Sequence, residues 1–422
     1  MSRVLFLTES FHPVLGGGEG HIRSLGSRLA ASGTPATVVT RRGDAAWPAE
    51  EAIDGIRVRR VPPGGPARVG KYLMVPAALA ALFRGRGGFD VLVVRGTRVL
   101  GLPGLVAGRA LGKAVVLQPE VNGEMTGEAY TWGTRHAGGA LDRAVRLGTA
   151  ARNRWMRDAD AFVAMSRQIQ REFLSAGAPP HRVALIPHGV DTARFRPAAP
   201  GERRALRARL ALPDGLLVAW SGRLLRGKGL EILVEAFARV AGSEPRAHLL
   251  LLGSGAGQAL SIEDDLRRRV AASGLGPRVT FAGRVEDVES WLRASDVFAF
   301  PSEFEGLGIS LVEAAACGLP AVGSRTGGIV DVIDGGRSGL LFPPGDAAAL
   351  AAALGGLLAD PGRRAAMGEA ARRLALRRFD AEDNLDRYRA LFGEVTPRCG
   401  ACSPGRAPRG GAAPPPSPGC PS

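Results

Sequence analysis

A chain of 422 residues is too long for one ordinary hydrophobic core and suggests two or three domains, two being the better fit. With 45% hydrophobic and 23% charged residues the composition is globular, which excludes a disordered or fibrous protein. The net charge of +15 is carried by arginine, since lysine occurs only at Lys71, Lys113 and Lys228; such a balance attracts nucleic acid, acidic lipid and phosphorylated ligands alike, but aromatics at 5% with no nucleic-acid-binding signature argue against nucleic acid.

Cys317 falls in a helical pattern and Cys399, Cys402 and Cys420 in the terminal tail, so no disulfide framework is predicted. Cys399-Gly-Ala-Cys402 has zinc-like spacing, but the tail adds one further Cys and no His, short of four ligands, and no metal is expected. The apolar start, Met1 to Leu7, is too short for a secretory signal. The longest helix-like apolar run, Leu73 to Phe83, falls short of the ~18 to 20 residues that cross a bilayer. The expected location is the cytoplasm.

In chain order, Arg3 to Thr8 reads as a buried strand, Glu9 to Gly20 as a loop with four glycines, and Ile22, Leu25 and Leu29 as the apolar face of a helix. The loop is not a P-loop, because no Gly-Lys-Ser/Thr follows. Further strands are predicted at Ala36 to Thr40, Ile56 to Val61, Val91 to Val94 and Ala114 to Leu117, with helices between several of them, which implies a mainly parallel sheet covered by helices. Lys71 to Arg86 places an apolar face between basic ends; it suits a helix packed on the sheet, the preferred reading, or one lying on an anionic membrane. Arg135 to Arg171 carries many arginines, a solvated face or a dock for an anionic acceptor. Asp160 to Ser166 and Val183 to Asp191 close the first half; for Ser166 and His188, facing a cleft and capping or turning the chain are both open. Thr192 to Gly201, with two prolines, reads as the interdomain linker.

The second half opens with a strand, Gly215 to Ser221, and a glycine-rich loop bearing Arg223 and Lys228, two cations able to neutralise a pyrophosphate and stabilise it as it leaves. His248 to Gln258 only superficially resembles a dinucleotide fingerprint, since Gln258 stands at the third glycine; it is read as a strand and turn before a helix at Ile262 to Ala272. Val279 to Val285 gives another strand and loop. Val297 to Phe300 is a strand ending at Pro301; two glycines follow, then a helix from Leu311 to Cys317. In a doubly wound sheet ligands bind beyond the strand carboxyl ends and helix N-termini attract anions, so Gly306 to Ser310 should face a phosphate, with Glu305 and Glu313 at the rim as acceptors for sugar hydroxyls. Helices are predicted at Ala347 to Leu358 and Arg363 to Leu391, and the tail from Thr396 to Ser422 is expected to stay unordered.

Glu305-x7-Glu313, Ala315 to Val322, Gly327-Gly328-Ile329, Gly339 to Asp346 and the Gly-Arg-x4-Lys-Gly series from Gly222 to Gly229 together closely resemble the retaining GT-B glycosyltransferases of family 4, over residues 1 to 393. The resemblance implies an α/β fold of two Rossmann-like, doubly wound domains facing a central cleft: 1–195 on the acceptor side, 196–375 for the nucleotide sugar, a helix at 376–393 crossing back, and a tail at 394–422. It implies transfer of a sugar from a nucleoside diphosphate sugar to a hydroxyl acceptor with retention, without metal or other cofactor. Arg223, Lys228 and Glu305 are the implied catalytic residues. Donor contacts are implied for these three and for Gly16, Gly17, Gly306, Leu307, Gly308 and Ile309, with Arg284 and Val285 at the nucleobase and Glu313 at the ribose. Many relatives have a His where this chain reads Gln118 to Glu124; Glu120, Asn122 or Glu124 is available for part of its role, and Glu120 is taken as the catalytic candidate. The missing His keeps open a catalytically weakened nucleotide-sugar-binding protein, and the fold also hosts sugar epimerases and phosphorylases. Expected partners are the donor, a glycan, lipid or small-molecule acceptor, and an anionic membrane face in the cytoplasm, with no nucleic acid.

Overall fold

The computed structural model describes residues 2–14, 16–65, 67–131, 139–258 and 260–396. The tail with Cys399, Cys402 and Cys420 lies outside them, as does Arg135.

Two sheets are formed. The first contains β1 (Val4–Leu7), β2 (Ala36–Arg41), β3 (Glu50–Ile53), β4 (Ile56–Val61), β5 (Val91–Arg95), β6 (Ala114–Gln118), β7 (Ala161–Ala164) and β8 (Val183–Leu185), in the order β3-β4-β2-β1-β5-β6-β7-β8. The second contains β9 (Leu216–Ser221), β10 (Ala247–Leu252), β11 (Val279–Gly283), β12 (Val297–Phe300), β13 (Ala321–Ser324) and β14 (Gly339–Phe342), in the order β11-β10-β9-β12-β13-β14. All pairs are parallel except β3 with β4. The inner strands β1, β5 and β6 are apolar up to Arg95 and Gln118 at the ends of β5 and β6, and buried on both faces, as parallel strands under helices must be. Strand order reverses between β1 and β5, where Val4 pairs with both Ala36 and Val91, and again between β9 and β12.

In the first half the helices are α1 (Gly17–Ala31), α2 (Ala67–Leu73), α3 (Val75–Arg84), α4 (Gly101–Ala110), α5 (Glu128–Thr131), α6 (Ala140–Met156) and α7 (Arg167–Ser175). The second half has α8 (Glu202–Arg209), α9 (Leu230–Ser243), α10 (Glu263–Ala272), α11 (Val288–Ala294), α12 (Ile309–Ala316), α13 (Ile329–Val332), α14 (Ala347–Ala359), α15 (Pro361–Arg378) and α16 (Ala381–Val395). Ile22, Leu25 and Leu29 of α1 and Leu385, Tyr388, Leu391 and Phe392 of α16 cover one face of the first sheet; α3, α4 and α6 cover the other.

Two expectations are corrected. The helix anticipated over Arg363 to Leu391 breaks at Phe379, because Asp380 turns extended and its carboxylate caps Glu382 N and Asp383 N. There the chain crosses back to the first sheet, and the two crossing segments hold each other: Val190 N donates to Phe379 O at 2.8 Å and Ala381 N to Val190 O at 3.0 Å. The anticipated packed helix at Lys71 to Arg86 is two helices. Met74, Ala78, Ala81 and Leu82 are buried, but Tyr72, Leu73 and Phe83 are exposed.

Candidate active site

The loops that follow the four strands at the two reversals meet across one crevice, the position where doubly wound sheets bind ligands. After β9, Gly227 O accepts from Glu303 N at 3.0 Å, so the loop bearing Arg223 and Lys228 is stitched to the loop after β12. Lys228 Nζ then lies 2.7 Å from Glu305 Oε2. Arg223 is exposed and has no side-chain partner among the described residues. Gly308, at φ +91°, takes the left-handed turn that starts α12, and no side chain caps that helix N-terminus. Its first free N–H groups therefore lie on the same two-loop unit as the Lys228–Glu305 pair. Gly16 and Gly17 open α1 from the other wall; a Cβ on Gly17 would stand 3.1 Å from the Ile309 side chain, which shows how closely that wall approaches α12.

Beyond β6, Glu120 forms the floor on the first-domain side. Protein encloses its carboxyl, yet the side chain keeps 34% exposure through the open crevice. Enclosure pushes the acid up to about 7, against the pull of Arg95 and with help from Glu124, Glu9 and Glu19. Arg95 is buried at the end of β5; its Nη1 donates to Gly18 O at 2.6 Å and its Nε stands 3.8 Å from Glu120. Asn122 Nδ2 donates across the crevice to Glu305 O at 2.7 Å, and Gly306 lies against the Glu120 carbonyl. Glu124 is unavailable to a ligand. Its oxygens take Glu120 N, Val121 N, Thr97 N and Thr97 Oγ1, which makes it the frame of the loop.

Glu313 sits one turn into α12, where burial raises its carboxyl to about 7 although Arg194 pulls it down. Arg194 in turn pairs with Glu289 at 2.8 Å. Arg284 is exposed at the end of β11, while Val285 packs on Leu217, Leu250 and Leu252. Ser166 and His188 have structural roles: Ser166 Oγ caps α7 through Ile169 N, and His188 is buried with its ring stacked 3.9 Å from His21. Burial holds both histidines well below the usual imidazole range. Arg95 escaped the sequence reading; an arginine ending the otherwise aliphatic run Val-Leu-Val-Val was the available signal. Among the described residues no three His, Cys, Asp or Glu side chains gather as a metal site.

The family described as Glycosyltransferase Family 4 matches residues 15–194, and that described as Glycosyl transferases group 1 matches residues 215–360. The chain is 29% identical over 403 residues, 89% of its length and 90% of the relative's, to D-inositol 3-phosphate glycosyltransferase 1 of Catenulispora acidiphila. It is 35% identical over 228 residues to the GDP-mannose-dependent alpha-(1-6)-phosphatidylinositol monomannoside mannosyltransferase of Mycolicibacterium smegmatis, a match that spans 52% of this chain and only 58% of that one. Among solved structures it superposes on sucrose-phosphate synthase from Thermosynechococcus elongatus with TM-score 0.81, 26% identity and coverage of 94% and 99%. Anabaena HepE in complex with UDP-glucose shares the fold at TM-score 0.75 and 22% identity, covering 94% of this chain and all (100%) of that one. The chain therefore carries a Glycosyltransferase Family 4 domain followed by a glycosyl transferases group 1 domain, in a GT-B fold.

Proposed function

We propose that the protein transfers a sugar from a nucleoside diphosphate sugar to an acceptor hydroxyl, with retention of anomeric configuration and without a metal. The observation that carries this reading is the unit made by the loops after β9 and β12: two cations, a helix N-terminus and a carboxylate on one wall of a crevice between two strand-order reversals. Arg223, Lys228 and the first N–H groups of α12 would hold the diphosphate and stabilise it as it leaves, the part a metal plays elsewhere. Lys228 would then exchange Glu305 for phosphate, freeing Glu305 for the sugar hydroxyls. Glu313 and Val285 would border the ribose and base. Glu120, on the opposite wall, accepts a hydrogen bond from the acceptor hydroxyl as attack and departure take place on one face of the sugar.

Relatives named for GDP-mannose and a structural neighbour bound to UDP-glucose support a nucleotide-sugar donor and direct the screen to both nucleotides. The test is release of nucleoside diphosphate from a donor panel with and without acceptors. Release that depends on an acceptor, with the product in the donor's anomeric configuration, supports the reading; binding without turnover, or a changed sugar left on its nucleotide, overturns it.

Contact with an anionic membrane is part of the proposal. Tyr72, Leu73 and Phe83 of α2 and α3, Val106 of α4 and Leu147 and Trp155 of α6 are exposed on neighbouring helices, with Arg84, Arg86, Arg143 and Arg154 among them. Such a mixture suits an acidic lipid surface. No helix among the described residues is long and apolar enough to cross a membrane.

A further inference from the structure

A cavity of about 260 Å³ lies where both domains and the crossing segment contribute walls, and none of Arg223, Lys228, Glu305 or Glu120 lines it. The first domain gives Leu185 at the end of β8 and Arg167 at the start of α7; the second gives Leu307 from the loop after β12 and Asp331 of α13. The crossing gives Arg378 and Phe379, and α16 gives Arg387. Phe379 is the residue whose carbonyl takes Val190 N at 2.8 Å, so the cavity abuts the hydrogen bonds that join the two crossing segments. Leu307 stands between Gly306, which lies against the Glu120 carbonyl, and Gly308, which starts α12. Asp331 is the one acid on these walls and is already engaged: its Oδ2 takes Arg167 N at 2.7 Å and its Oδ1 stands 3.7 Å from Arg167 Nε. Arg378 and Arg387 are exposed and, among the described residues, take part in no ion pair or side-chain hydrogen bond. Three guanidinium groups against one carboxylate leave two positive charges in excess beside an apolar wall.

We propose that this cavity is an effector site for a phosphate monoester with a compact apolar body, which bridges the two domains at the crossing. The volume is below the roughly 300 Å³ at which pockets for drug-sized ligands begin, too small for a nucleotide sugar. A phosphate offers oxygens in several directions and so can meet guanidinium groups carried by α7, α15 and α16, and its charge of about −2 at neutral pH balances the excess. Leu185, Leu307 and Phe379 cover the apolar body, a contribution that inorganic phosphate cannot draw on. An occupant that touches both domains and the crossing fixes their relative setting, and through Leu307 it bears on the loop that carries Glu305. The assignment does not depend on the transferase reading.

The test is calorimetric titration of the whole protein with phenyl phosphate, phenol and inorganic phosphate. Phenyl phosphate should bind at least about tenfold more tightly than either of the others. The Arg378→Gln, Arg387→Gln double variant, whose side chains are exposed and unpaired and so leave the fold intact, should weaken it by about tenfold or more. Leu185→Trp, which adds bulk to the cavity from an exposed edge position, should do the same without removing a charge. Lys228→Ala should leave phenyl phosphate binding unchanged, since that cation belongs to the donor wall. A second measurement locates the site: saturation with phenyl phosphate should slow amide hydrogen exchange at 186–195, 303–310 and 376–384, the three segments that meet around the cavity. Phenol or inorganic phosphate binding as tightly as phenyl phosphate, full affinity in both the double variant and Leu185→Trp, loss of binding in Lys228→Ala, or unchanged exchange in those three segments overturns the proposal. Binding of phenyl phosphate by a protein that takes up no nucleoside diphosphate contradicts the transferase reading alone, and the effector site stands on the two arginines, Leu185 and the exchange pattern.

Discussion

Lys228 and Glu305 neutralise each other at 2.7 Å, while Arg223, on the same loop as Lys228, has no side-chain partner among the described residues. An ion pair of this kind, 26% and 17% exposed, contributes little to stability. Its value lies in holding a cation where a diphosphate would arrive. Lys228→Ala should therefore lower turnover by roughly two orders of magnitude, the scale of removing one preorganised donor, while the protein stays folded by circular dichroism. Unchanged kcat would remove Lys228 from the mechanism. Glu120 gives a pH test. Its carboxyl titrates near 7, and the ionised form is the hydrogen-bond acceptor, so turnover should rise as pH is raised through about 7. Glu120→Gln should remove that limb from the pH–rate profile. Persistence of the limb assigns it to another group.

At the scale of elements, the glycine turns decide where the reactive side chains stand. Gly327, at φ +52°, lies so close to the Glu305 carbonyl that a Cβ there would collide with it, and Gly328 N donates to that carbonyl at 3.1 Å. Gly327→Ala should cost about 1 to 3 kcal/mol in urea unfolding and, by pushing the Glu305 loop, reduce turnover more than donor affinity. A variant with wild-type kcat would mean that the loop position is not critical. Most strands, the glycine loops and several helices were legible because β1, β5, β6 and β12 are short apolar runs ending at Gly, Pro or polar residues, whereas β13 and β14 were not read as strands. The strand β3 was not, since Glu-Glu-Ala-Ile is polar and lies at the sheet edge. Its signal was in the turn: Asp54 and Gly55, both at positive φ, make the two-residue hairpin that Asp-Gly favours. The break at Phe379 was equally readable from Asp380 as an N-cap. The place of Arg95 was signalled only by an arginine ending the aliphatic run Val91 to Val94, because what it meets depends on which strand ends the fold makes neighbours.

The whole molecule is tied by two crossings rather than one. The linker and the segment before α16 hydrogen-bond to each other, and Asn122 with Glu305 and Arg167 N with Asp331 Oδ2, each at 2.7 Å, bridge the crevice itself. At the anchor of α16 the fully buried Tyr388 hydroxyl takes Gln118 Nε2 at 3.0 Å, just below the Glu120 loop. Tyr388→Phe leaves that amide without its partner and should cost about 1 to 2 kcal/mol by urea unfolding. An unchanged midpoint would show that the amide finds another acceptor.

The central claim is that Arg223, Lys228 and the α12 N-terminus stabilise a departing nucleoside diphosphate without a metal. It is tested most directly by single-turnover release of nucleoside diphosphate from a matched donor and acceptor, in excess chelator, for wild type and the Arg223→Ala, Lys228→Ala double variant. The account predicts undiminished release in chelator for wild type and release at least roughly a thousandfold slower in the variant. Release that stops in chelator and returns with a divalent cation, or a folded double variant that releases nucleotide at the wild-type rate, would contradict it.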